Sequence, residues 1–73
     1  MNYVATVRIW DDEGAYIKEL GQYRGVDEAR QAVEHAAKHG IWEDFTFVPP
    51  HRIMDGSIVK PGEELPLRAI KLP

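Results

Sequence analysis

The segment Asp27–Gly40 constrains this chain more than any other. Ala29, Ala32, Val33, Ala36 and Ala37 recur at three- and four-residue spacing, while Glu28, Arg30, Gln31, Glu34, His35 and Lys38 fill the remaining positions. That period predicts an amphipathic α-helix. Asp27 is placed to cap its first turn, and Glu28 suits the positive end of the helix dipole. Glu34 and Lys38 form an i, i+4 pair in the favourable order. Gly40 fits the positive-φ position after the last turn, with Ile41 as the apolar residue that often follows it. A stripe made mostly of alanine lets the helix axis lie close to its neighbour but contributes little volume. The reading therefore expects a sheet to supply the large side chains.

Strand signals flank the helix. Residues 3–10 are β-branched and aromatic, with Tyr3, Ala5, Val7 and Ile9 on one parity and Thr6 and Arg8 among the other. Asp11-Asp12-Glu13-Gly14 reads as a four- or five-residue hairpin loop in which Gly14 takes a positive φ. Residues 15–24 form a second strand whose alternation fails at Glu19. A bulge at Glu19–Gly21 would restore it.

After the helix comes an aromatic, proline-rich stretch, Gly40–Ile53. Trp42-Glu43-Asp44 reads as a short connection. Phe45, Phe47 and Ile53 share one parity; Ile41, Phe45 and Phe47 are assigned to the core, where they would supply the bulk the helix lacks. Pro49-Pro50 cannot donate to a ladder and should stop strand pairing, leaving His51 and Arg52 on an extended segment. Asp55-Gly56, between Ile53-Met54 and Ser57-Ile58-Val59, is a two-residue hairpin signal. Pro61-Gly62 reads as a further turn and Leu65–Leu72 as a last strand. The fold class expected is α+β: a small ββαββ(β) domain over residues 1–73, an antiparallel sheet with one Ala-rich helix on one face. Trp10, Tyr16, Leu20 and Val48 are expected on the other face, uncovered in a monomer.

That exposure matters because the chain is short. At 73 residues only roughly 60% of the unfolded surface is buried on folding. With no cysteines, disulfides and thiolate metal sites are excluded. Self-association into a homo-oligomer is the expected outlet. The net charge of −3 argues against general nucleic-acid binding. Charge is uneven: residues 1–50 hold five Lys/Arg and nine Asp/Glu, and residues 51–73 hold four and three. An anion would thus find its cations in the C-terminal third. No signal-peptide pattern opens the chain and no apolar run approaches the roughly 20 residues that span a bilayer. The expectation is a cytoplasmic protein with no membrane partner.

Candidate chemistry is sparse. His35 and His39 share a helix face at i, i+4, a spacing zinc sites use, with His51 or Glu28 as the candidate third ligand; a solvated pair near the helix C-terminus is the favoured reading, and no metal or cofactor is assigned. The acidic cluster at Asp11–Glu13 lacks calcium-loop spacing. No nucleophile–base pair or phosphate-binding glycine loop is present. What remains is a candidate ligand-binding set, Trp42, His51 and Arg52: an aromatic platform, a proton-exchanging ring and a planar cation suited to phosphate or carboxylate.

Two resemblances add to this. Tyr23–Ala29, Tyr-Arg-Gly-Val-Asp-Glu-Ala, following a hairpin and opening an Ala-rich helix, is similar to the strand-to-helix entry of small antitoxin domains of the HicB type. Those domains place a third strand before the helix, and here there is room for two. Val48–Ile53 looks like the compact β-modules of phage and mobile-element proteins. The expectation is a non-enzymatic, self-associating binding module of phage or mobile-element type that holds a small nucleotide-like anion or a host protein. The alternatives are a HicB-like antitoxin or other nucleic-acid-linked regulator and, after that, a small enzyme.

Overall fold

The structure is a computed structural model that describes residues 2–60 and the backbone of residues 69–70. It is a small α+β domain: β1 (Tyr3–Asp11), β2 (Gly14–Tyr23), α1 (Val26–His39), β3 (Ile41–Glu43), β4 (Thr46–Val48), a 3-10 turn over Pro50–Arg52, β5 (Ile53–Val59) and β6 (Ala69–Ile70). The main sheet is antiparallel in the order β2-β1-β5-β6, and β3 and β4 form a separate two-stranded ladder. No helix among the described residues is long and apolar enough to cross a membrane.

The first hairpin forms where its signals lie. Asp11 pairs with Gly14, so the loop is shorter than expected, only Asp12-Glu13. The Glu13 amide donates to Asp11 Oδ1 at 2.8 Å and Gly14 takes φ +131°, a turn held by an Asx contact and a glycine. Ala5 pairs with Gly21 but Thr6 with Glu19, so Leu20 is the extra residue of a bulge, within the interval the alternation marks.

Ala29, Val33 and Ala36 of α1 are buried against Ala5, Val7 and Ile9 of β1 and Ile53 and Ile58 of β5. The helix begins two residues earlier than a cap at Asp27 implies. Gly25 is the cap residue and makes no side-chain bond; Asp27 sits inside the first turn, where its charge still favours the dipole. Gly40 ends the helix at φ 80°, ψ −180°, a region essentially restricted to glycine, and its amide donates to Ala36 O at 2.8 Å.

Asp55-Gly56 is not a turn. Both residues lie inside β5, opposite Arg8 and Val7. A Cβ at Gly56 would collide with Val33 Cγ1 and stand 3.1 Å from Thr6 O. The glycine is there because α1 packs directly over it. The register skips between Arg8 and Ile9, leaving Met54 as the extra residue, exposed. Pro49-Pro50 does end the ladder, but Pro50–Arg52 then coils into a 3-10 turn instead of continuing extended, with the Arg52 amide donating to Pro49 O at 3.1 Å.

The large side chains are not in the core. Tyr16 and Leu20, expected on the uncovered face, pack at the margin of the helix-side core, and Val48 is buried. The bulge and the β1 register set this: Tyr16 pairs with Ile9, whose side chain faces α1. The open face instead carries Trp10, Ile17 and the Arg8–Asp55 ion pair (2.5 Å). The Pro61-Gly62 turn and the remainder of Leu65–Leu72 lie outside the described residues.

Candidate functional site

Two surfaces gather the residues that could act. The first is the β3–β4 hairpin. Ile41 pairs with Val48, Trp42 with Phe47 and Glu43 with Thr46. That leaves Asp44-Phe45 as a two-residue turn with φ 47° and 68°. Positive φ at both positions is the turn whose twist suits a tight hairpin, usually built from Asn-Gly or Asp-Gly. Asp44 fits; Phe45 does so at a backbone cost of about 1–2 kcal/mol. The turn takes Phe45 out of the strand, so its assignment to the core fails: it is wholly exposed. Parity inside the ladder follows from Ile41 and Val48 facing the core. Trp42 and Phe47 then point away from it, 71% and 42% exposed, with ring centroids 5.2 Å apart and tilted by 53°. Aromatic pairs favour such tilted geometry. Phe47 also rests where a side chain at Gly40 would be, 2.6 Å from the built Cβ position.

Among the described residues one side-chain hydrogen bond fastens the hairpin to the main sheet. Tyr16 Oη donates to Glu43 Oε2 at 2.9 Å. That hydrogen bond, reinforced by partial burial and by the Glu43 charge, raises the Tyr16 phenol above its ordinary 10.0.

The second surface is the 3-10 turn and the end of β1. The Trp10 indole N–H donates to the His51 carbonyl at 3.2 Å, and Arg52 Nε–H donates to the Trp10 carbonyl at 2.9 Å. Arg52 Nη2 lies 3.9 Å from Asp11 Oδ2. Trp10 and Arg52 thus clasp the turn to the sheet. His51 contributes its backbone here and its side chain is exposed. Of the candidate set, His51 and Arg52 are neighbours on this clasp, whereas Trp42 belongs to the hairpin. No hydrogen bond or ring contact among the described residues joins Trp42 to the other two.

An open groove of about 580 Å³ runs between β2 and α1, with Leu20, Tyr23, Ala32 and Ile41 among its apolar lining and Gln31 and His35 among its polar lining. His35 and His39 have ring centroids 4.5 Å apart. No cluster of three or more His, Asp or Glu that could hold a metal forms among the described residues.

The sequence reading assigns Phe45 to the core, which the turn does not allow, and puts Trp10 on the open face, where it lies, without its bond to the 3-10 turn. An Asp followed by any residue, between two short alternating runs, was the available signal for the Asp44-Phe45 turn. For Trp10 nothing local announces a bond to a carbonyl 41 residues away. Comparison with protein families, with curated proteins and with solved structures finds no match to this chain.

Proposed function

We propose that this chain is a non-enzymatic interaction module that self-associates and engages a protein partner through the β3–β4 hairpin. One observation carries the reading: three large aromatics, Trp42, Phe45 and Phe47, stand exposed within six residues, and the tip residue occupies a backbone region that disfavours it. A Phe that adds nothing to the monomer's core and costs backbone energy is accounted for if it is buried elsewhere. Aromatic anchors of this kind dominate protein interfaces. The support for a small anion at His51 and Arg52 is weaker, because Arg52 already gives Nε–H to Trp10 and lies beside Asp11. A small module of this design fits the phage or mobile-element setting, where it would occupy a site on a host protein.

Position-specific photo-cross-linking tests this. A benzophenone side chain at position 45 should give a discrete protein adduct in the cell that expresses the chain, and the same group at Glu34, on the exposed helix face, should not. Equal yields from both positions would refute hairpin binding.

A further inference from the structure

We infer that β2 is the self-association surface, pairing antiparallel with β2 of a second copy about a twofold axis through Ile17; this rests on the self-association part of the function proposed above. β2 is the terminal strand of the main sheet, and among the described residues nothing pairs with its outer side. Unpaired edges of this length are templates for strand addition. The bulge at Leu20 limits the regular run to Gly14–Glu19, so only registers centred within those residues give an extended ladder.

A twofold axis normal to the sheet places each residue opposite one of the same parity. Charge then selects among centres. An axis through Lys18 sets two ammonium groups directly opposite, and one through Tyr16 brings Glu13 against Glu19 of the second copy; like charges so placed are destabilising. An axis through Ala15 leaves few strand residues paired. Centred on Ile17, no like charges meet. Ile17, 55% exposed on the open face, covers its own copy, and Ala15 lies opposite Glu19. On the helix side Lys18 lies opposite Tyr16 of the second copy, whose hydroxyl is bonded to Glu43. The ammonium thus approaches an aromatic ring and a carboxylate, twice by symmetry.

The absence of native cysteine makes the register measurable. Cβ atoms directly opposite in an antiparallel pair lie about 4.5–5.5 Å apart, near disulfide reach, whereas Lys18 and its copy, offset by two residues across the pair, lie about 7–8 Å apart. Under mild oxidation Ile17→Cys should form a covalent dimer in high yield and Lys18→Cys should not. Lys18→Glu, which should leave the exposed edge folded, should weaken the dimer at least tenfold by sedimentation equilibrium. A wild-type chain that is monomeric at tens of micromolar overturns both the pairing and self-association. A wild-type dimer in which Ile17→Cys fails to cross-link, or Lys18→Cys cross-links as well, preserves self-association and removes it from this register.

Discussion

The sheet–helix body and the β3–β4 hairpin use side chains in opposite ways. The body buries Ala5, Val7, Ile9, Ala29, Val33, Ala36, Ile53 and Ile58. None of the seven Trp, Tyr and Phe is fully buried; the three Tyr lie at the core's margin, and Trp10 with the hairpin's Trp42, Phe45 and Phe47 is exposed. The alanine stripe explains the first half. It brings α1 so close to the sheet that β5 must carry glycine under Val33, and no room is left for rings. Among the described residues the hairpin turns Ile41 and Val48 toward the body, and Trp42, Phe45 and most of Phe47 face outward. Stability resides in small, tightly packed aliphatic residues, and the bulk is displayed where a partner can cover it.

The contrast can be broken most forcefully in the body. Ile9→Ala removes a fully buried side chain and should cost about 2–5 kcal/mol in urea unfolding, which is a large share of the stability of so small a domain. Gly56→Ala tests the close approach of α1. Its methyl group must displace Val33 or the β1 backbone, and the expected loss is about 1–3 kcal/mol. If Gly56 were a tolerant turn residue instead, the unfolding midpoint would barely move.

In the hairpin the sign should reverse. Phe45→Gly relieves a left-handed Phe and completes an Asp-Gly turn, so the isolated chain should gain up to about 1 kcal/mol while losing partner cross-links. A destabilised Phe45→Gly variant would mean that Phe45 packs within the monomer. The smallest effect concerns the join between the two regions. Tyr16→Phe should cost about 0.5 kcal/mol near neutral pH, the low end for a hydrogen bond at a partly exposed site. Because the phenol is raised above 10.0 in the fold, its contribution is fully present below pH 10.0 and is lost as pH climbs through the higher folded value. The gap between wild type and Tyr16→Phe should therefore close in strong alkali.

Much of the body was legible because its signals are local. The 3.6-residue period of α1, glycine at positions 14 and 40, and the failed alternation at Glu19 each act through the dihedral preferences or facing of neighbouring residues. The errors share a cause as well. Glycine after Asp serves turns and close approaches alike, so Asp55-Gly56 reads as a turn, and only Val33, 23 residues earlier, distinguishes the two. Phe45 and Phe47 were assigned to the core by counting parity through a turn that interrupts it. The candidate set fared similarly: His51 and Arg52 are adjacent by covalent necessity, but no local pattern reveals that the clasp to Trp10 and Asp11 engages Arg52.

The sequence by itself determined the first hairpin with its bulge, the alanine-striped helix and its glycine stop, and the end of pairing at Pro49-Pro50, since each depends on backbone geometry within a few residues. Tertiary structure alone decided that β5 runs beside β1, that β2 is left as an edge, that a glycine lies beneath Val33 and that the aromatics face out. Those outcomes depend on the distance at which two surfaces meet, and the volume left between an alanine helix and a sheet is a property of neither segment alone.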